Sequence, residues 1–286
     1  MEASLLEADR ETQWNSDSST SHCRNCPICD ASHAHGTPVN YGPPEWPLVR
    51  CGDCGLVYLT RTPAVSELEQ ERAWEKTFLS ERERRHREYP ALMAVDRLTR
   101  ARLSIFRRTP KRMIARIAPP GAILDLGCGT GHHLTPPPPG FVPYGIEISK
   151  QQAAAANNCF QSFGGECLWS EAEVGLASLL SGFFGAAMMI SYLEHEFRPR
   201  QVLIALRRVL KNGAVVLVKV PHYGSLNRRM MGRRWCGFRF PDHVNYFTTN
   251  TLQLLAERSG YRIRYGLLER LRLPLSDSMW AVLRCN

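Results

Sequence analysis

The stretch Ala122-Ile-Leu-Asp-Leu126, followed by Gly127-Cys-Gly129-Thr-Gly131, constrains the fold more than any other part of this chain. A short apolar run that empties into three alternating glycines reads as a β-strand ending in a tight turn. Residues without a Cβ let the backbone reverse sharply and let a ligand approach it closely. In a parallel α/β sheet, ligands bind at this carboxyl edge. A dinucleotide fingerprint, G-x-G-x-x-G, would put its third glycine at position 132, where His132 stands instead. Asp125, just ahead of the glycines, would repel a pyrophosphate and suits a cationic amino group. Glu147 closes the next apolar run and places a second carboxylate where the two hydroxyls of a ribose can donate to it. The pair disfavours a nicotinamide dinucleotide and favours an adenosyl group that carries an ammonium.

The pattern around this motif is that of alternating strands and helices. After Pro119-Pro-Gly121, strands are expected at 122–126, 144–148, 166–169, 186–190, 214–220, 261–267 and 278–283, with helices at 150–163, 200–210 and 251–259. The fold class expected is therefore α/β, a Rossmann-like sheet of seven mostly parallel strands, preceded by a small zinc ribbon. At 286 residues and 44% apolar composition the chain can bury one full core and an accessory module besides. The division expected is a disordered polar tail over 1–22, a cysteine module over 23–62, a helical cap over 63–118 and the α/β domain over 119–286. Within the cap, Glu81-Arg-Glu-Arg-Arg-His-Arg-Glu88 reads as a solvated helix face. One interruption stands out. Pro136-Pro-Pro-Pro139 forbids a long helix after the glycine loop, at roughly 3 kcal/mol per interior proline, so at most one turn over 131–135 can form.

Cys26-Pro-Ile-Cys29 and Cys51-Gly-Asp-Cys54-Gly55 are two C-x-x-C knuckles bracketing residues 30–50, close to the spacing of a tetrahedral Zn²⁺ site. Four thiolates leave no open position for a substrate, so the zinc is expected to be structural. Cys23 is a fifth thiol, free or competing with Cys26, and His33 and His35 are weaker alternates. A reducing, cytoplasmic setting fits this thiol usage. The polar start of the chain lacks the apolar core of a secretory signal, and no run approaches the roughly 20 apolar residues of a membrane span.

In Asp125–Gly131 and Glu147 the chain resembles the class I S-adenosylmethionine-dependent methyltransferases, in the branch similar to ubiquinone-biosynthesis methyltransferases with an N-terminal cysteine motif. Ser191-Tyr-Leu-Glu-His195, Arg208–Gly213, Val220-Pro221, Pro241-Asp-His243, Tyr246-Phe247 and Leu252–Tyr261 support the resemblance. It implies S-adenosylmethionine as cofactor, held by Asp125, Gly127, Cys128, Gly129, Gly131 and Glu147. Three departures bear on cofactor affinity: the proline run, Gly185 where the family often has Asp, and His222 where Asn is common.

Methyl transfer from a sulfonium is an in-line displacement that needs alignment, plus a base when the acceptor is a hydroxyl. His195 and His243 are the candidate catalytic residues, expected to face one cleft from opposite sides. Residues 227–239 mix five arginines with Trp235 and Phe238. Arg233 and Arg234 are expected to clamp an anionic small-molecule acceptor, such as a nucleotide-linked sugar or a lipid precursor, with Trp235 and His222 also lining the site. A formal charge of +9 agrees with an anionic partner without naming one. Two other readings stand beside this one: a nucleic-acid methyltransferase or binder that uses the ribbon, and a methyltransferase fold retained without catalysis. Against the first, no RNA-binding motif and no basic stripe interleaved with aromatics is present.

Overall fold

The computed structural model describes residues 23–61, 87, 109–266 and 276–285. The polar tail, most of the helical cap with its Glu81–Glu88 run, and the end of the strand expected at 261–267 lie outside these residues. The first strands among the described residues form an antiparallel meander of three, β1 (Thr37–Val39), β2 (Leu48–Arg50) and β3 (Val57–Leu59). Helix α1 (Pro110–Ile117) begins on proline, whose missing N–H costs nothing in a first turn. There follow β4 (Gly121–Leu126), β5 (Phe141–Glu147), α2 (Lys150–Gln161), β6 (Glu166–Trp169), α3 (Ala172–Ser178), β7 (Phe184–Ile190), α4 (Pro199–Val209) and β8 (Leu210–Pro221). The last described elements are α5 (Leu226–Met231), β9 (Asn245–Tyr246), α6 (Thr249–Arg258), β10 (Tyr261–Tyr265) and β11 (Ser278–Cys285).

Seven strands form one sheet in the order β10-β11-β8-β7-β4-β5-β6. The five from β8 to β6 are parallel, and β10 and β11 add an antiparallel edge. The Rossmann-like α/β fold is thus present, with all seven expected strands in place. Because successive side chains on a strand alternate faces, the apolar runs feed two cores. Leu124, Ala187, Met189, Val216 and Val218 pack toward α4 and α6 with Val202, Leu206 and Leu252. Ile123, Ala186, Met188, Val215 and Leu217 face the other way, onto Ile114 and Phe160. Full burial of a side chain such as Phe160 contributes about 2 to 3 kcal/mol. Local signals agree with these elements. Ser149 caps α2 by accepting from the Gln152 amide, and Thr248 and Thr251 form a capping box at α6.

Chain order reverses between β4 and β7. From β4 the chain runs outward through β5 and β6, then returns to lay β7 on the other side. The crevice beyond the carboxyl ends of β4 and β7 is the switch point at which such sheets bind ligands. No helix separates β4 from β5. The chain makes a single turn, with the Leu134 amide and Thr135 hydroxyl both donating to Gly131 O, and then enters the proline run. Helix α3, which sequence periodicity does not reveal, fills the crossover between β6 and β7.

The cysteine module does not close on itself. Its β3 pairs with β9, giving a second sheet in the order β1-β2-β3-β9, with Val57 opposite Tyr246 and Tyr58 opposite Asn245. Cys26, Ile28, Cys51, Leu56 and Tyr58 join the same buried cluster as Leu203 of α4, Phe247 just after β9, and Val216 and Val218 of the larger sheet. The half-buried Arg24 completes the seam. Its guanidinium donates to Leu59 O at 2.8 Å, Phe197 O at 2.9 Å, and both Val244 O and Asn245 Oδ1 at 2.6 and 2.9 Å. Burial lowers its pKa to about 10.

Candidate active site and metal centre

At the end of β4 the glycines have φ of +67° at Gly127, +57° at Gly129 and +78° at Gly131, a region L side chains rarely adopt. A Cβ at Gly127 would meet the Tyr192 ring at 2.6 Å, and one at Gly131 would meet Phe160 at 2.8 Å. The loop is therefore glycine both for its conformation and for the aromatic rings laid against it. Asp125 is 1% exposed, and neither of its carboxylate oxygens has a hydrogen-bond partner among the described residues. Burial and then the nearby Glu147 charge push its pKa well above the usual carboxylate range. Glu147, on the next strand, accepts from the Gly129 amide through Oε2 and from the Ser149 amide through Oε1, each at 2.9 Å. Cys128 is buried, with its sulfur 3.4 Å from that of Cys167.

One feature of this edge escapes sequence reasoning. Trp169 ends β6 in register with Glu147, yet it is 54% exposed. Its indole N–H donates to Ile148 O at 3.0 Å, and Lys150 Nζ lies 4.8 Å from its ring centroid. An aromatic at the carboxyl end of a strand beside Glu147 is the signal that could have found it.

Across the switch point, β7 delivers Ser191–His195. Tyr192 lies against Gly127 and donates its hydroxyl to Glu196, so this segment touches the glycine loop directly. The structure brings His195 and His243 together, with ring centroids 4.7 Å apart and planes at 86°. His195 Nδ1 meets Asp242 O at 2.9 Å, and His243 Nδ1 meets Gly237 O at 2.8 Å. Burial, then the Arg239 charge, lowers the His195 pKa to about 4, so its imidazole is neutral near pH 7. Glu194 stands beside them, 1% exposed, with burial raising its pKa to about 8. Sequence reasoning misses Glu194 although it adjoins His195. His222 is buried at the end of β8, and its amide donates to Asp277 O.

The arginine-rich loop differs from expectation. Trp235 is 1% exposed, and its indole N–H donates to Asp277 Oδ1 at 2.7 Å. Its ring packs with Tyr223 and Phe238 in a third apolar cluster, so it serves the core and offers no face to stack on an acceptor. Asp277 also accepts from Ser225, Asn227 and the Cys236 thiol, tying the loop to the start of β11. Arg233 and Arg234 are exposed, and Arg233 Nε donates to Asn40 O of the cysteine module at 2.9 Å.

Cys26, Cys29, Cys51 and Cys54 form a metal-competent cluster, with all four sulfurs within 4.8 Å of one another. Cys26 to Cys54 and Cys29 to Cys51 are each 3.4 Å, against about 3.8 Å for sulfurs sharing one zinc at about 2.3 Å. Backbone amides of Ile28 and Cys29 point at Cys26, that of Ala31 at Cys29 and that of Leu56 at Cys54. The Cys54 thiol, then those amides, outweigh burial and lower the Cys26 pKa to about 5. Gly55, at φ +74°, makes the turn after the last cysteine. Amides directed at sulfur are what a thiolate-bound Zn²⁺ requires, so these residues fit the metal. Cys23 lies apart and exposed, bridged to Arg61.

Residues 97–265 match a protein family described as a methyltransferase domain. Among solved structures, the chain is similar to a SAM-dependent methyltransferase from Archaeoglobus fulgidus, at 18% identity and a TM-score of 0.49, covering 69% of this chain and 100% of that one. A SAM-dependent methyltransferase from Aquifex aeolicus is 16% identical with a TM-score of 0.48, over 62% of this chain and 89% of that one. No curated protein matches the sequence.

Proposed function

The chain belongs to the methyltransferase-domain family, and from that premise we propose that it transfers the methyl group of S-adenosylmethionine to a hydroxyl of a small anionic acceptor. The observation that carries this reading is the buried, unpartnered carboxylate of Asp125 beside three left-handed glycines, with Glu147 on the adjoining strand. An uncompensated buried carboxylate is costly, by several kcal/mol, and a cationic ligand group removes that cost. Asp125 would take the ammonium of the methionine moiety, Glu147 the ribose hydroxyls, and the open ring of Trp169 one face of the adenine. When bound, S-adenosylmethionine supplies an electrophilic methyl on a sulfonium.

The chain's own residues align the acceptor and exclude water. His195, neutral near pH 7, and His243 lie beyond β7, next to the loop that Tyr192 braces, and are placed to accept a hydroxyl proton. The exposed Arg233 and Arg234 give the acceptor side a positive rim. The cysteine cluster would hold a structural zinc, and reduced thiolates of this kind suit the cytoplasm. Among the described residues, no helix is long and apolar enough to cross a membrane.

Ligand titration tests the cofactor: S-adenosylmethionine and S-adenosylhomocysteine should bind wild-type protein and lose at least tenfold in affinity on Asp125→Ala, while NAD should not bind. NAD binding equal to that of S-adenosylhomocysteine would sink the assignment. Labelled-methyl assays with phosphorylated and carboxylated alcohols should yield O-methyl products, and transfer to nitrogen or carbon alone would overturn the hydroxyl acceptor.

A further inference from the structure

We propose that Cys128 and Cys167 form a redox modification site: a hydroperoxide converts the two thiols to a disulfide that pins the glycine loop to β6 and weakens cofactor binding. Their sulfurs are 3.4 Å apart. A disulfide bond is about 2.05 Å long, so the pair has roughly 1.4 Å to close.

The sheet brings these two thiols together across a glycine. Cys167 on β6 stands in register with Gly145 on β5, which lies opposite Asp125 on β4. Gly145 is not among the residues with positive φ, so what its missing side chain provides is room. A Cβ at this position would meet Cys128 Sγ at 2.6 Å and the Phe160 ring at 3.0 Å. Any side chain at 145 would therefore part the thiols. The Cys167 amide donates to Asn157 Oδ1 of α2 at 3.0 Å, which fixes the backbone of this outermost strand.

The two sulfurs have different roles. Cys128 is 1% exposed, and its hydrogen bond with Cys167, then burial, push its pKa well above the usual thiol range. It keeps its proton. Cys167 is half-buried and is the sulfur that an oxidant reaches first. With hydrogen peroxide, the Cys167 thiolate attacks one oxygen and the O–O bond breaks. The departing hydroxide takes up the proton that Cys167 gave to solvent, leaving water and a sulfenic acid. The Cys128 sulfur then attacks that sulfur, the S–O bond breaks, and the second hydroxide leaves as water with the Cys128 proton. Two thiols and one peroxide become one disulfide and two waters.

Cys128 sits between Gly127 and Gly129, so drawing it toward β6 shifts the Gly129 amide that donates to Glu147 Oε2. Gly131 at the far end of the loop is packed so closely that a Cβ would come within 2.8 Å of Phe160. The loop therefore has little room to absorb the change. Loss of S-adenosylmethionine affinity rests on the methyl-transfer reading, whereas formation of the disulfide does not.

The full chain, reduced and loaded with zinc, is treated with equimolar hydrogen peroxide, alkylated in denaturant, digested and mapped by mass spectrometry. Wild type should yield peptides joined through Cys128 and Cys167 and separated again by dithiothreitol. Absence of that pair, or pairing of either thiol with Cys159 instead, would overturn the site. S-adenosylhomocysteine titration reads the consequence: its affinity should fall at least about tenfold on oxidation and return with reductant. Cys167→Ser should bind it as reduced wild type does, before and after peroxide. An unchanged affinity in the disulfide form, or an equal loss in the peroxide-treated Cys167→Ser chain, would overturn the control of binding. A disulfide in a chain that binds no S-adenosylhomocysteine even when reduced would support the thiol pair and contradict the cofactor reading instead.

Discussion

The two sides of the switch point are built in opposite ways. The edge proposed for the cofactor comes from one short stretch: Asp125, the glycine loop and Glu147 sit on two neighbouring strands joined by a single turn and a proline run. Its geometry is set by the parallel sheet and by backbone conformations that only glycine adopts easily. The edge proposed for the acceptor is assembled from segments far apart. Arg24 reaches Val244 O across 220 positions of sequence, β3 pairs with β9, and Asp277 gathers Ser225, Asn227, Trp235 and Cys236. One side is therefore expected to withstand changes at a distance, and the other to depend on the cysteine module.

The largest expected effect comes from removing the metal proposed for the cysteine cluster. A structural zinc contributes on the order of 10 kcal/mol of apparent binding energy, all of it coupled to folding. Chelation, or Cys51→Ser, should unfold β1–β3 and release β9. Hydrogen exchange should then show lost protection over residues 193–197 and 243–246, while 121–126 and 141–147 stay protected. Equal loss of protection in both sets would erase the contrast. Arg24→Ala is next. It strands four part-buried acceptors and should cost about 3 kcal/mol, measured by urea denaturation, with a raised acceptor KM. A change below about 0.5 kcal/mol would show that the seam does not rely on this residue.

Asp125→Asn should act in the other direction. The folded pKa of Asp125 lies above its unfolded value, so the unfolded chain releases this proton first as pH rises. Its contribution to stability is therefore present below the ordinary carboxylate range and is lost as pH climbs toward the raised folded value. The ligand-free Asn variant should be more stable than wild type near pH 7, by about 1 to 3 kcal/mol, and should lose this part of the pH dependence. Lower stability at every pH would mean that Asp125 has a structural partner. Smallest is Gly131→Ala, which forces a Cβ toward Phe160 at a φ of +78° and should cost about 1 to 2 kcal/mol. Its effect should fall on S-adenosylhomocysteine affinity and leave acceptor KM unchanged.

The same contrast explains which features are legible in the amino-acid sequence and which are not. Strand periodicity, glycine spacing and the cysteine knuckles are local, and they specify the sheet, the loop and the thiol cluster. Helix α3 is hidden because it is only 7 residues long, carries Gly175 in its interior and buries little beyond Leu176. Trp235 misleads because an aromatic among arginines looks like the lining of an acceptor site, whereas its indole is buried and bonded to Asp277 from another part of the chain. Glu194 is inconspicuous because its neighbour His195 draws the chemistry, and only the fold shows that its carboxylate oxygen Oε2 lacks a partner among the described residues. The pairing of the ribbon with β9 has no local signal at all.

The most direct measurement is calorimetric titration of S-adenosylhomocysteine into the full chain, before and after zinc is removed from the cysteine cluster. If the cofactor edge is self-contained, one molecule binds in both states with affinities within about threefold, or less than about 0.7 kcal/mol. No binding to the zinc-loaded chain would contradict the cofactor site itself, and binding lost together with the zinc would contradict its independence from the ribbon.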